Sequence, residues 1–432
     1  MIFNSNNETL SQNELKQLQS ERLINLVSRL FKNVPFYRAN MIKKGIKPED
    51  IHSINDIRHL PFTTKEDMRE TYPMGLLAVD KKEIVEIHTS SGTTGKPVVD
   101  AYTKNDIDVW GEVMARTLSA GGATQNDIVH NTYGYGLFTG GLGIHYGARK
   151  LGAAVLPMSS GNTARQLAMM QDFKSTILTC TPSYALYIAE AGREEGLDFS
   201  KLPLKAGFFG AEPWSENMRT EIESKLHLKA YDIYGLTEII GPGVASECET
   251  QNGLHIFEDH FYPEIIDPNT GNPVPEGQKG ELVITTLTKE GTPILRYRTR
   301  DITYFIQEPC SCGRTSRKIH RLLGRTDDLL IIRGVNVFPA QIENVLLSMD
   351  GIEPHYQLLV DRKNQLDYLE VHVEMSANLF SDEIKMLEKI ESDIARKIHS
   401  ALGLKAKVKL VEPKRIKRSE GKAKRVIDMR MV

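Results

Sequence analysis

Short apolar runs, glycine-rich turns and helical patterns follow one another in the middle of the chain, and this alternation constrains the fold most strongly. It is clearest in DIVHNTYGYGLFTGGLGIHYGARKLGAAVLPM (127–158) and TILTCTPSYALYIAEAG (176–192). Apolar runs of strand length that alternate with helical segments are typical of strands covered by helices. The sequence therefore predicts an α/β fold.

The pattern changes near Gly324. Beyond it, short apolar stretches predict strands in DLLIIRG, in AKVKLVEP and in HYQLLVDRKNQLDYLEVHVEM, which has a hairpin turn at Lys363 and Asn364. A chain of 432 residues is longer than one hydrophobic core usually serves. We therefore predict a large N-terminal domain over 1–326 and a small α+β domain over 327–432. The small domain contains a helix capped by Ser381, with one apolar face formed by Ile384, Leu387, Ile390, Ile394, Ile398 and Leu402.

Composition excludes several classes of function. A formal net charge of −2 gives no general attraction to nucleic acid or to an anionic membrane. No run of about eighteen apolar residues is present, and the N-terminus lacks the basic-then-apolar order of a secretory signal. Four cysteines in so long a chain do not make a disulfide framework. We expect a cytoplasmic protein with small-molecule partners, and neither a nucleic-acid nor a membrane partner.

The stretch HTSSGTTGKP (88–97) follows the alternating run EIVEI and combines hydroxyl residues, two glycines and a lysine. Backbone N–H groups of such a turn, with hydroxyls and an ammonium beside them, suit phosphate oxygens. A solvated turn between periodic segments has the same composition. A Walker P-loop is disfavoured, because only two residues separate Gly92 from Gly95 and Pro97 follows Lys96.

Three further stretches carry groups that suit a nucleotide. YDIYGLTE (231–238) offers a tyrosine for stacking, a threonine hydroxyl and a carboxylate, although taken alone it also describes a strand that runs into a turn. YRTRD (297–301) also fits a solvated strand end, and GRTDDLLIIRG (324–334) also fits a polar linker. None of the three is specific by itself.

The order of these motifs is more specific than any one of them. SSGTTGKP, YGYGLFTGGLG, FFGAEPW, DIYGLTE, YRTRD, GRTDDLLIIRGVNVFP and RSEGKAKRVID follow one another from Ser90 to Asp428. In this order the chain resembles the adenylate-forming superfamily of acyl-CoA synthetases, and within it the phenylacetate-CoA ligases. The resemblance implies an ATP-dependent, AMP-forming ligation of an aryl acid, phenylacetate above all, to coenzyme A with Mg²⁺.

The same resemblance implies the nucleotide site. Thr237 would bind the α-phosphate, Glu238 Mg²⁺, and Asp301 the ribose hydroxyls. Tyr234 would stack on adenine, and Arg325 would contact the ribose or the α-phosphate. The β- and γ-phosphates would lie in the loop formed by Ser90, Ser91, Gly92, Thr93, Thr94, Gly95 and Lys96, and the remaining residues around the nucleotide would be Gly210, Ala211, Glu212, Pro213, Asp232 and Gly235.

The resemblance also implies a catalytic lysine and a hinge residue near the C-terminus. Lys422 matches the catalytic lysine of the family, whose ammonium neutralises charge that gathers on the α-phosphate. Asp327 matches the hinge about which the small domain swings between two poses. The basic residues around Lys422 also allow a nucleic-acid patch, which we discount because no aromatic residue is interleaved. The basic residues around Lys422 are Lys414, Arg415, Lys417, Arg418, Lys424 and Arg425.

The acid is expected to bind among aromatic and small side chains. No obvious cation accompanies the stretches TYGYGLF and GFFGAEP, so an apolar ring is the favoured occupant, although such residues also form cores. The predicted pocket consists of Tyr133, Tyr135, Phe138, Gly210, Ala211, Gly235 and Ile239.

Cysteine spacing suggests a metal. Cys248 and His255 form one short cluster, and Cys310 and Cys312 form another. Together they would complete a closed tetrahedral set for structural zinc, and four unrelated surface residues are the alternative. Cys180 is expected to be a small buried apolar residue.

Two other activities remain compatible with the motifs. One is adenylation followed by transfer to a carrier-protein thiol, and the other is a nucleotide-binding sensor without catalysis. Thr237, Glu238, Asp301 and Lys422 together argue against the sensor, and the lack of a fused carrier segment argues against carrier transfer. The resemblance to the phenylacetate-CoA ligases also implies a homodimer.

Overall fold

The computed structural model describes residues 1–90, 96–333, 335–349, 351–363, 366–375, 384–421 and 423–430. The described chain divides into two compact units. The first consists of Met1–Cys180, Lys201–Ala211 and Lys229–Arg321, and the second of Thr181–Ser200, Glu212–Leu228 and Leu322–Val432. The domain boundary between residues 326 and 327 stays a prediction.

A nine-stranded mixed sheet organises the first unit. The strands of this unit are β1 (Ile84–Thr89), β2 (Val99–Thr103), β3 (Ile128–Asn131), β4 (Ala154–Pro157), β5 (Ile177–Cys180), β6 (Ala206–Phe209), β7 (Lys229–Leu236), β8 (Gly241–Glu247), β9 (Leu254–Ile256), β10 (Phe261–Ile266), β11 (Gly280–Thr286), β12 (Tyr297–Thr303), β13 (Phe305–Ile306) and β14 (Lys318–Ile319). The large sheet has the order β13-β14-β9-β8-β7-β6-β5-β3-β4. Its β3 to β7 portion is parallel, whereas β8, β9, β14 and β13 continue it in antiparallel pairs.

Helices connect the parallel strands, so the predicted α/β fold is confirmed. The helices of this unit are α1 (Ser5–Glu8), α2 (Gln12–Asn33), α3 (Pro35–Lys43), α4 (Lys65–Glu70), α5 (Lys104–Ala120), α6 (Thr139–Leu151) and α7 (Thr163–Asp172). Capping boxes begin α2, α4 and α5, at Ser11, Thr64 and Thr103. Among the described residues, no helix combines the length and hydrophobicity that crossing a membrane requires.

The second unit contains the α+β fold predicted from the last hundred residues. Its helices are α8 (Pro182–Glu194), α9 (Glu216–Leu226), α10 (Pro339–Leu347) and α11 (Ile384–Leu402), and its strands are β15 (Gly324–Arg325), β16 (Leu330–Ile332), β17 (Val335–Val337), β18 (Ile352–Lys363), β19 (Leu366–Met375), β20 (Lys407–Val411) and β21 (Val426–Asp428). The main sheet has the order β20-β19-β18-β21. Ile394 and Ile398 of α11 are buried in its core, as the helical spacing predicted. Ser381, the predicted cap, and Asn364 of the predicted turn lie outside the described residues.

Candidate functional site

Tyr234 and Asp301, separated by 67 positions in the sequence, are hydrogen-bonded to each other in the first unit. The Tyr234 hydroxyl donates to Oδ2 of Asp301 at 2.6 Å, and both side chains are buried. Tyr234 lies on β7 and Asp301 on β12. Asp301 is therefore not a solvated strand end, and two residues predicted to bind the adenosine part of ATP lie side by side.

Close backbone packing surrounds Tyr234. A Cβ at Gly235 would lie 2.0 Å from the carbonyl oxygen of Gly241, and one at Gly210 would lie 2.4 Å from that of Ile233. Only glycine fits at such distances. Ala211 adopts a φ of 69°, a left-handed conformation that is uncommon for alanine. The predicted adenine border therefore includes positions where the backbone itself is constrained.

Asp232 precedes Tyr234 by two positions on β7 and is also buried. Its backbone N–H donates to Oε2 of Glu247 at 2.8 Å. Glu247 lies on the adjacent antiparallel strand β8, which is why the contact is not visible in the sequence. The role of Asp232 in nucleotide binding stays a prediction.

Glu238, the predicted Mg²⁺ ligand, is buried and lies 3.4 Å through Oε1 from the ammonium of Lys65. Lys65 is the first residue of α4, and the capping box at Thr64 orders this helix start. The pair places a carboxylate opposite a positive charge in the first unit. Sequence reasoning missed Lys65, because nothing in the local pattern links a helix start to a residue far along the chain. Thr237, next to Glu238, is half-buried.

The predicted phosphate loop joins β1 to β2, which form an antiparallel pair. Ser90 begins it and is bonded to Val98 twice, through Ser90 N–H to the Val98 carbonyl and from Val98 N–H to Ser90 Oγ, both at 2.9 Å. Lys96 is exposed, and its ammonium lies 5.8 Å from the centre of the Tyr72 ring. The predicted phosphate ligands between them, Ser91, Gly92, Thr93, Thr94 and Gly95, lie outside the described residues.

The residues predicted to hold the acid have different environments. Tyr133 and Ile239 are buried, whereas Phe138 is 52% exposed. The hydroxyl of Tyr135 accepts a hydrogen bond from Asn131 Nδ2 at 2.8 Å, and burial raises the pKa of this phenol to about 12. Tyr135 is thus held as a neutral phenol within the fold. The aryl pocket stays a prediction.

Cys248, His255, Cys310 and Cys312 are brought together in the first unit. One ligand atom from each lies within 4.8 Å of the others, with Sγ of Cys248 and Cys310 3.5 Å apart and Cys312 Sγ 3.4 Å from His255 Nε2. The antiparallel end of the large sheet explains this. Cys248 follows β8, and His255 lies on β9. Both other cysteines lie between β13 and β14, and β14 pairs with β9.

This cluster fits a closed tetrahedral metal site. Zn–S bonds of about 2.3 Å at tetrahedral angles place sulfur atoms roughly 3.8 Å apart, close to the spacing in the structure. Burial, with the charge of Arg314, lowers the pKa of His255 to about 3, so the imidazole is neutral and has a lone pair for a metal. Burial raises the pKa of Cys248 to about 12, so its thiolate needs a nearby cation. The fourth cysteine, Cys180, is buried as predicted.

In the second unit, Arg325 and Asp327 form a two-point ion pair. Arg325 Nε and Nη2 donate to Oδ1 and Oδ2 of Asp327 at 2.9 and 3.1 Å. Glu212 and Pro213 also belong to this unit, and the Glu212 carboxylate accepts from the backbone of Ser183 and Ala423. Lys422 lies outside the described residues.

Comparison with known proteins assigns the family. The profile described as AMP-binding enzyme matches residues 30–288, and that of the AMP-binding enzyme C-terminal domain matches residues 334–430. The phenylacetate-coenzyme A ligase of Thermus thermophilus is 48% identical over 444 residues, covering 100% of both chains. That of Escherichia coli is 48% identical over 427 residues, covering 98% of this chain and 97% of the relative.

Solved structures of an acyl-CoA ligase are also similar to this chain. A 2-hydroxyisobutyryl-CoA ligase in a postadenylation state, bound to an acyl-adenylate, has a TM-score of 0.94 at 29% identity, covering 100% of this chain and 93% of that one. The same ligase in its thioesterification state has a TM-score of 0.73 at 30% identity, with coverages of 98% and 91%. The chain belongs to the AMP-binding enzyme family and, within it, to the group of phenylacetate-coenzyme A ligases.

Proposed function

We propose that this protein joins phenylacetate or a closely related aryl acid to coenzyme A in two steps. In the first, a carboxylate oxygen of the acid attacks the α-phosphorus of ATP, and the bond to pyrophosphate breaks. In the second, the thiol sulfur of coenzyme A attacks the acyl carbon, AMP leaves and the thiol loses its proton. The enzyme is thus an AMP-forming acid–thiol ligase.

The observation that carries this proposal is the buried pair of Tyr234 and Asp301 in a chain that matches phenylacetate-CoA ligases along its whole length. An ionised carboxylate accepts hydrogen bonds from both ribose hydroxyls, and a tyrosine ring offers a face to adenine. The Tyr234 hydroxyl orients the Asp301 carboxylate before the nucleotide arrives, so part of the ordering cost of binding is met by the fold.

We assign the remaining chemistry to residues around this pair. Thr237 contacts the α-phosphate, the loop of Ser90 to Lys96 surrounds the departing pyrophosphate, and Lys422 neutralises charge in the first step. Glu238 holds Mg²⁺, which offsets phosphate charge when bound. Asp327 is the proposed hinge between the two half-reactions.

We also propose one structural zinc per chain, held by Cys248, His255, Cys310 and Cys312. All four ligand positions come from the protein, so no position is left for substrate or water. The contribution of this zinc is therefore to folding of the loop between β13 and β14. A homodimer and a cytoplasmic location complete the proposal, and light scattering of the purified protein measures the first.

One assay separates the proposed function from its alternatives. Pyrophosphate release is measured with phenylacetate, hydroxyphenylacetate, indoleacetate and aryl propionates, each with and without coenzyme A. The ligase releases pyrophosphate and forms acyl-CoA with at least one acid. A carrier-dependent enzyme releases pyrophosphate but forms no acyl-CoA, and a sensor binds ATP without releasing pyrophosphate. Either of the last two results would contradict the proposal.

A further inference from the structure

The second compact unit joins parts of the chain that belong to different family domains. Helix α8 and Glu212 lie within residues 30–288, the match to the AMP-binding enzyme profile. Glu374 and Arg418 lie within residues 334–430, the match to the C-terminal domain profile. All of them nevertheless belong to the same compact unit. Side chains from the two family domains are therefore in direct contact within this unit.

Arg418 makes the strongest of these contacts. Its Nε and Nη2 donate to both carboxylate oxygens of Glu190 on α8, at 2.8 and 2.7 Å. Its Nη1 and Nη2 donate to both oxygens of Glu374 at the end of β19, each at 2.7 Å. The guanidinium is 11% exposed and Glu374 1% exposed, so these are charge-assisted bonds largely shielded from solvent. Arg418 thus clamps β19 to α8.

Glu212 forms a second bridge, which joins the start of α8 to the basic segment a few residues after Arg418. Its Oε1 accepts from the backbone N–H of Ser183 at the start of α8, at 2.8 Å, and its Oε2 accepts from that of Ala423 at 2.9 Å. On the other side of position 422, the carbonyl oxygen of Gly421 accepts from Thr181 Oγ1 at 3.1 Å. The described backbone on both sides of residue 422 is therefore bonded to the segment that begins α8.

We propose that the Glu190–Arg418 ion pair and the Glu212 bridge position the backbone around Lys422 for adenylation. This inference rests on the proposed function, in which Lys422 acts only in the first half-reaction. A lysine can neutralise charge on the α-phosphate efficiently only when the backbone on either side of it is held in place. The same contacts are then specific to one half-reaction, so Arg418, Glu190 and Glu212 are positioning residues of the first step.

Glu190→Gln and Arg418→Gln test the clamp. ATP–pyrophosphate exchange with phenylacetate reports adenylation, and consumption of supplied phenylacetyl-adenylate by coenzyme A reports thioester formation. We expect the kcat of exchange to fall by about tenfold or more, with the KM of ATP and of phenylacetate changing less than about twofold. Thioester formation should change less than about twofold. The double variant should lose little more than Arg418→Gln alone, because that substitution already removes the bonds to Glu190.

Glu194→Gln is the matched control. Glu194 lies one turn later on the same helix and pairs with Lys414 at 2.6 Å, but the two side chains are 47% and 62% exposed. A surface pair contributes little, so both half-reactions should stay at the wild-type rate. An equal loss of both half-reactions in Glu190→Gln, or rates like those of Glu194→Gln, would overturn the inference. Arg418→Lys, which keeps the charge but not the two-point geometry, replaces Arg418→Gln if that variant does not fold.

Hydrogen exchange provides a readout that needs no substrate. Amides of residues 414–421 should exchange at least about tenfold faster in Glu190→Gln than in the wild type or Glu194→Gln. Unchanged exchange would contradict the clamp. If the wild-type protein adenylates no aryl acid, the proposed function fails. The hydrogen-exchange result still decides whether the Glu190–Arg418 clamp exists.

Discussion

The hydroxyl of Tyr234 donates a 2.6 Å hydrogen bond to the buried carboxylate of Asp301. The two strands that carry these residues, β7 and β12, belong to different sheets of the first unit. Each motif was ambiguous when read alone. Their direct contact gives the proposed adenosine site a defined geometry.

Tyr234→Phe should weaken ATP binding without altering the acid site. The ring is kept, but Asp301 loses a donor whose bond to a charged group is worth about 1.5 kcal/mol or more. We therefore expect the KM of ATP in pyrophosphate exchange to rise about tenfold, with the KM of phenylacetate unchanged. Tyr231→Phe serves as the control, since Tyr231 lies on the same strand with its ring 5.6 Å from that of Phe208. An unchanged KM of ATP in Tyr234→Phe would contradict the proposed role of the Tyr234 hydroxyl in orienting Asp301.

Glu238→Gln should raise the Mg²⁺ concentration needed for half-maximal adenylation by about tenfold or more. The amide keeps the shape of the side chain but lacks the negative charge that a hard cation prefers. Titration of Mg²⁺ in the exchange assay measures this change. Glu66→Gln is the control, because Glu66 neighbours Lys65 in sequence but pairs with Arg300 at the surface. Equal Mg²⁺ requirements in both variants would show that Glu238 is no ligand.

Lys422→Ala should lower adenylation by at least about a hundredfold, since it removes a charge that stabilises the transition state. Thioester formation from supplied phenylacetyl-adenylate should remain close to the wild-type rate. Lys424→Ala, a neighbouring basic residue, should leave both rates unchanged. Adenylation within about tenfold of wild type, a barrier change of only about 1.4 kcal/mol, would contradict the role of Lys422.

Cys310→Ser should reduce zinc content and lower the melting temperature by about 5 °C, which in a protein of this size corresponds to roughly 4.5 kcal/mol. A serine hydroxyl is a poor substitute for a thiolate, and the bound metal stabilises the folded state. The Mg²⁺ requirement of adenylation should not change. Elemental analysis and thermal unfolding measure the two effects. Cys180→Ala, which alters a buried cysteine outside the cluster, should keep full zinc content, and zinc-free wild-type protein would rule out the site.

Glu8→Ala should destabilise the protein by about 3 kcal/mol, measured by denaturant unfolding. The Glu8 carboxylate accepts from the backbone of Phe3 and Asn4 at 2.9 and 2.7 Å and from Arg314 Nε at 2.6 Å. Both ionic side chains are 2% exposed, so the substitution removes the countercharge of a buried guanidinium. Glu14→Ala, which removes an exposed capping partner of Ser11, should destabilise the protein clearly less. A similar cost for both would contradict the ionic role of Glu8.

Much of the fold followed from local pattern. The alternation of apolar runs and glycine-rich turns predicted the α/β sheet, and the periodicity of Ile394 and Ile398 predicted the buried face of α11. Period and turn chemistry are properties of neighbouring residues, so they can be read without coordinates. The order of motifs from Ser90 to Asp428 likewise identified the family, which full-length relatives at 48% identity confirm.

Contacts between distant segments required the tertiary structure. The sequence grouped Cys248 with His255 and Cys310 with Cys312, but only the antiparallel pairing of β8, β9 and β14 brings both clusters together. The ion pairs Lys65–Glu238 and Glu190–Arg418 cannot be read from the sequence. Each depends on where two side chains that are distant in the sequence meet in space. Sequence alone determined the elements and the chemical class. The tertiary structure decided which charged groups face one another, because that depends on how strands and helices pack.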